Sequence, residues 1–143
     1  MLVLKPQRDD YDAATRAFLT SMPVFDLLGL ELGALGPGTS EVVLPIVRAV
    51  TADGRLVQGG IVGAVLDIAG GVAAMTLVPA GHGIVSRGYE THHLAPAGGT
   101  KLVARGQVVK PGRNQGVSRV DIHAVHGERS VLCATGLVTT RWV

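Results

Sequence analysis

Two groups of residues with the means to do chemistry lie in one stretch, residues 57–79, VQGGIVGAVLDIAGGVAAMTLVP. Asp67 is the single carboxylate of this apolar run, and an Asp in such surroundings is rare unless it is paired or working. Gln58, Gly59 and Gly60 stand at the entrance. If the run is a helix, the N–H groups of its first turn are free and sit at the positive end of the helix dipole, where anions and developing oxyanions bind. Gly59 and Gly60 put no side chain between those donors and a ligand. A carbonyl held there is polarised, the requirement for acyl transfer, and a carboxylate such as Asp67 supplies an acid/base group.

The run is too long for a strand and apolar all round, which predicts a core helix. On that helix Asp67 shares its face with Gly60, Gly63, Gly70 and Gly71, at spacings of three, four and seven. The glycines serve either close packing, with Asp67 tied to a backbone N–H, or a lane cleared for a ligand beside the acid. The second reading accounts for the carboxylate as well as the glycines. Gly59 and Asp67 are eight residues apart, about 12 Å along a helix axis, beyond the reach of an Asp side chain. Two copies could combine the groups, with their helices antiparallel across a two-fold axis. Chemistry of this kind therefore predicts at least a dimer.

Composition bounds the alternatives. A chain of 143 residues can bury a core of its own and is read as one domain, 1–143, with a helical segment over 1–22. With 47% apolar and 17% charged residues it is globular rather than disordered. A formal charge of +2 and 3% aromatics leave little for binding nucleic acid. The single Cys133 cannot form an internal disulfide and suits a reducing, cytoplasmic setting. The opening MLVLKPQRDD lacks the apolar core of a cleaved leader. A membrane span through residues 61–78 would carry Asp67 at a cost of about 2.5–3.5 kcal/mol, so no membrane partner is expected.

The other elements follow from period and punctuation. Residues 9–20 form a short amphipathic helix, and Pro23 is followed by a turn through Phe25, Asp26 and Leu27. Residues 29–50 hold two strands joined at Gly36, Pro37 and Gly38, with Pro45 demoting the second to an edge or forcing a bulge. Beyond Pro79, Ala80 and Gly81 the period changes to two. Strands over 83–94, 101–110, 116–125 and 130–143 are separated by turns and read as a four-stranded meander. In the third of these, Val117, Arg119, Asp121 and His123 share one face, and Ser118, Val120, Ile122 and Ala124 the other. The class is α+β, an antiparallel sheet wrapped around one long central helix.

The order of motifs resembles a known family. Gly59 and Gly60, followed by Leu66, Asp67, Ile68 and Ala69, resemble the phenylacetate-pathway type of hotdog-fold acyl-CoA thioesterases, which typically carry His-Gly-Gly and then Leu-x-Asp-x-Ala. The likeness continues through Val85 and Ser86, through Leu94 to Ala97, and through Val109 to Arg113. It implies a hotdog fold, dimers pairing into homotetramers, and sites between subunits. It implies an oxyanion N–H from Gly59 beside Gly60, Asp67 as general base or nucleophile, and Ser86 positioning water or the thioester. Lys110 and Arg113 match a turn that meets coenzyme A phosphates, and Ser86, Arg87 and His93, on the strand that Ser86 opens, are expected with them to bind the substrate or its coenzyme A. Coenzyme A enters as part of the substrate, and no cofactor or metal is implied. Gln58 stands where the family has His, so it can orient but not titrate. Ala52 replaces a loop Asn, with Asp53 and Gly54 beside it. Gly71 replaces a Thr or Ser, His93 an aromatic, and Gly88 an acid.

Other groups carry less. Adjacent His92 and His93 point to opposite faces of a strand and cannot share a metal, and His82, His123 and His126 lack ligand spacing. Cys133 reads as a small buried hydrophobe. The leading expectation is an acyl-CoA thioesterase. The alternatives are a non-catalytic acyl-CoA-binding or regulatory protein of the same fold, and an enoyl-CoA hydratase or dehydratase, which usually wants a His beside the acid.

Overall fold

The apolar run folds as one helix packed across one antiparallel sheet. The computed structural model describes residues 4–143, so residues 1–3 of the expected N-terminal helical segment lie outside it. In chain order the elements are α1 (Tyr11–Thr20), α2 (Pro23–Leu28), β1 (Glu31–Leu32), β2 (Thr39–Pro45), a single 3-10 turn (Arg48–Val50), α3 (Gly59–Met75), β3 (Ile84–His93), β4 (Lys101–Pro111), β5 (Gln115–His126) and β6 (Arg129–Trp142). The turn expected through Phe25 is the helix α2, opened by Pro23 in its first turn and closed by Gly29 at φ 65°.

α3 is shorter at both ends than the apolar run. Val57 donates its N–H to Ala97 O instead of entering the helix, and Gln58 is the cap, its side-chain oxygen accepting the Ile61 N–H at 3.1 Å. At the other end the Thr76 hydroxyl donates to Ala73 O at 2.7 Å and accepts the Gly38 N–H at 2.8 Å. Between these ends Val62, Leu66 and Ala69 are buried with Val42, Leu44, Leu102, Val120, Ile122 and Val138 of the sheet, and Ala73 with Val108 and Trp142.

The sheet order is β1-β2-β4-β5-β6-β3, every pairing antiparallel. Only β4, β5 and β6 form a meander. The strand expected to precede β4 beside it, β3, instead closes the far edge on β6, which corrects the four-stranded meander. Alternation satisfies either arrangement, so it could not name the neighbour. What decides is the link 94–100: Leu94 and Ala95 donate to Cys133 O, Ala97 O accepts from Val57, and Thr100 bonds both Ile46 and Val125. That segment crosses the end of the sheet. Pro45 neither makes its strand an edge nor forces a bulge, since the register of β2 with β4 is unbroken from Thr39 to Pro45. β2 lies between β1 and β4, but β1 reaches only Val43, so the missing N–H at Pro45 faces no partner strand.

Two serines fix α3 on the sheet. Ser40 Oγ donates to Ala69 O at 2.7 Å and Ser118 Oγ donates to Gly70 O at 3.0 Å. Here helix and sheet are in direct contact: a Cβ on Gly70 would lie 2.5 Å from Val138 Cγ2. Gly70 therefore serves close packing and is not part of a lane cleared for a ligand. The half-buried residues Ile61, Ala64, Asp67 and Ile68 lie on the other side of the helix. β3 has one neighbour and an unpaired outer edge, a natural template for a second chain.

Candidate active site

Asp67 is half-buried on α3, and Ser86 Oγ of β3 donates to its Oδ1 at 2.6 Å. Burial pushes the carboxyl above the usual carboxylate range, and the bond from Ser86 opposes that rise by favouring the charged form. The pair opens onto a cavity of about 220 Å³ walled by Phe18, Leu19 and Met22 at the end of α1, by Ile68 and Val72 of α3, and by Ile84. The chain thus holds a carboxylate with a raised pKa beside an apolar chamber, the environment in which a carboxylate is a stronger base. Removing the hydroxyl removes the one effect that lowers the pKa. In Ser86→Ala the acid limb of the kcat/KM profile is expected to move to higher pH, because Asp67 must be ionised to accept a proton. An acid limb that stays in place in the variant would sink this reading of the pair.

The strand β3 presents its residues to α3 in an order that simple alternation does not allow. Ile84 and Ser86 face the helix, the first 3.3 Å from where a Cβ on Gly71 would stand. Tyr89, Thr91 and His93 face it too: Tyr89 and Thr91 lie 3.7 and 3.4 Å from the Cβ position of Gly63, and His93 Nε2 lies 3.6 Å from that of Gly59. The phase changes because the register with β6 skips Arg87, with Ser86 opposite Thr140 and Gly88 opposite Thr139. This bulge turns every later residue to the other face. It makes His93, not His92, the inward histidine; His92 stands 3.8 Å from Glu90. Gly88 inside a strand was the one signal of the bulge available in the sequence. Tyr89 and Thr91 were missed there, since unbroken alternation from Ser86 points them away. The Thr91 hydroxyl is buried without a partner.

The helix entrance is open. The Gly59 and Gly60 N–H groups meet no acceptor among the described residues, and both glycines are exposed. Gln58 turns its amide back onto the helix as the cap, 2.9 Å from the Cβ position of Gly60, while His93 supplies the nearest ring. β3 runs antiparallel to α3, so Ser86 meets Asp67 near one end of their shared groove and His93 meets Gly59 at the other. Within one chain the donors and the carboxylate stay about 12 Å apart along the helix.

The basic residues lie elsewhere. Arg87, displaced by the bulge, donates to Gln115 Oε1 at 3.2 Å. Lys110 closes β4 and Arg113 lies in the β4–β5 turn, both exposed. The structure therefore gathers Arg87 towards that turn and not around Asp67. Cys133 is buried, and burial raises its thiol pKa. Among the described residues no group of three or more His, Cys, Asp or Glu could hold a metal, and no helix is long and apolar enough to cross a membrane.

Known proteins share this fold. Residues 54–131 match the thioesterase superfamily, a span that takes in the entrance, Asp67, Ser86 and His93. A crystal structure of a thioesterase family protein from Silicibacter pomeroyi superposes with a TM-score of 0.90 at 31% identity, covering 93% of this chain and 98% of that one. The PaaI protein of the E. coli phenylacetic acid degradation operon shares the fold, with a TM-score of 0.80 at 18% identity over 96% of each chain. A Haemophilus influenzae protein named as an esterase is 27% identical over 112 residues, 78% of this chain and 79% of its own. The hotdog architecture implied by the sequence motifs is the one found, and the chain belongs to the thioesterase superfamily, the thioester hydrolases.

Proposed function

We propose that this protein hydrolyses acyl-coenzyme A to a carboxylate and free coenzyme A, at sites shared between two copies of the chain. The observation that carries the reading is Ser86 bonded at 2.6 Å to a carboxylate of raised pKa at the mouth of an apolar cavity, on the same helix as two unsatisfied N–H donors. The thioester oxygen accepts the Gly59 N–H, with Gly60 keeping the approach clear and Gln58 holding the turn. Asp67 of the partner subunit takes a proton from water as that water attacks the carbonyl carbon, or attacks it directly. The tetrahedral oxyanion stays on the helix entrance. The carbon–sulfur bond then breaks. Where water attacked, the thiolate leaves with the proton Asp67 had taken. Where Asp67 attacked, the departing thiolate takes its proton from water, and a second water hydrolyses the acyl anhydride left on Asp67. Only water and this chain's own groups are used, so no cofactor or metal is called for.

The unpaired edge of β3 and the half-buried outer face of α3 support a homodimer, and dimers of this kind pair further into homotetramers. The lone thiol fits a cytoplasmic protein working as one domain, 1–143. Release of free thiol from short-chain, long-chain and aromatic acyl-CoAs, read beside melting shifts, tests the assignment. Thiol release from at least one is expected. A melting shift with no release would replace the reading with a binding protein, and loss of enoyl absorbance with a hydratase.

A further inference from the structure

We propose that the cleft beside the helix entrance, bearing Arg48, Arg55 and Arg129, holds the phosphate groups of coenzyme A. The proposal rests on the acyl-CoA reading above and adds to it the place where the nucleotide end of the substrate is held. The cleft measures about 700 Å³ and is cut between the loop 46–56, the crossing segment 95–99 and the β5–β6 hairpin, a size that suits a nucleotide. Its charge is of one sign. Three guanidiniums and His126 line it, and no carboxylate does. Among the described residues none of the three arginines has a carboxylate within 4.0 Å; Arg87, Arg113 and Arg141 have none either but do not line this cleft, and Arg8, Arg16, Arg105 and Arg119 are paired. Guanidiniums with no carboxylate in ion-pair contact, in a concave site that no carboxylate lines, are well suited to phosphate.

The loop that presents Arg48 and Arg55 is already set. Asp53, its one carboxylate, has its Oδ1 engaged by the N–H groups of Leu56 and Arg55, both at 2.8 Å; these bonds are the main cause that holds its pKa down, with the Arg55 charge a lesser one. Thr51 Oγ1 accepts the Gly54 N–H at 2.9 Å, and Thr51 bridges to Val57. Gly54 takes φ 90°, and a Cβ there would stand 3.0 Å from Arg48 Nη1, so the glycine admits the guanidinium. Little ordering remains to be done on binding, which is where such sites lose affinity.

Position gives the chemistry its direction. Leu56 and Ala95 line the cleft and lie within three residues of Gly59 and His93 at the helix entrance, and Arg55 is at most about 14 Å from Gly59 along the chain. A thioester with its oxygen on Gly59 and its acyl group beside Asp67 of the partner subunit sends its thiol arm outward, past the entrance and over this cleft. Within one chain Lys110 and Arg113 lie at the opposite ends of β4 and β5, since Lys101 pairs with Val125 on the cleft side and Lys110 with Val117 on the other. The concavity favours a nucleotide over the convex face of an acidic carrier protein.

The test compares one acyl group carried on coenzyme A with the same group on N-acetylcysteamine, which has no phosphate. Arg55→Ala/Arg129→Ala is expected to lower the ratio of kcat/KM for the two substrates at least about tenfold, through KM for the acyl-CoA. Binding of 3′,5′-ADP, followed by calorimetry, should weaken in parallel while the melting temperature holds. An unchanged ratio, or a ratio that falls in Lys110→Ala/Arg113→Ala instead, overturns the proposal. So does a double variant impaired only on an acyl carrier protein. Should the parent release thiol from no acyl-CoA, the activity reading fails by itself. The cleft is then judged by calorimetry alone: 3′,5′-ADP binding that the double variant loses supports it, and no binding to the parent rejects it.

Discussion

Asp67→Asn leaves the chain folded and lowers turnover by about 10²–10⁴-fold, the usual contribution of a positioned general base. The amide has the shape of the carboxyl and can still accept the Ser86 hydroxyl, so the bond recorded at 2.6 Å survives. What it cannot do is take a proton from water or attack a carbonyl. The same variant makes a thermodynamic statement that activity alone does not. Burial raises the Asp67 pKa, so the folded chain holds this proton where the unfolded chain has released it. Parent stability therefore falls as pH rises from the ordinary carboxylate pKa through the raised one. The variant has no such loss. It should melt at least as high as the parent at neutral pH, with the gap closing in acid once both states are protonated. Melting curves across pH and a thiol-release assay measure both effects. A purified variant that hydrolyses thioesters as fast as the parent would remove Asp67 from the reaction.

Gly59→Pro is expected to cost about 10²–10³ in kcat, the range for losing one oxyanion donor, with little change in the fold. Gly59 is the first residue of α3, where proline is well tolerated because the N–H has no helical partner to lose. Gln58 before it already sits at φ −62° and ψ 139°, the extended conformation that a following proline demands. The nearest atom to an added Cβ is His93 Nε2 at 3.6 Å, an ordinary contact. The substitution thus deletes a donor and almost nothing else. Mixing it with Asp67→Asn tests the shared site. In a mixed dimer, one site keeps both the intact entrance of one chain and the intact acid of the other. Random assembly therefore restores about a quarter of parental activity from two inactive chains. If each chain carried a whole site, mixing would restore nothing.

The sequence by itself determined the central helix, its open entrance and its lone carboxylate. An apolar run of that length has few alternatives to a buried helix, and helical rise follows from covalent geometry. Rise alone separated Gly59 from Asp67, and it is the reason the proposed chemistry needs a second chain. The alternation of residues 116–125 was equally legible, because a half-buried strand writes its two faces into its period, and Ser118, Val120, Ile122 and Ala124 are indeed the inward set. Tertiary structure decided what depends on partners distant in the chain. The placement of β3 beside β6 was not readable, since alternation names a face and never a neighbour. Gly70 looked like cleared space until Val138 filled it. The bulge at Arg87 is the sharpest case: a single unpaired residue in the register reverses the phase of the strand, bringing Ser86 to the carboxylate and His93 to the entrance on the same side of the sheet. Local sequence can permit such a skip, as Gly88 does, but only the pairing with β6 enforces it.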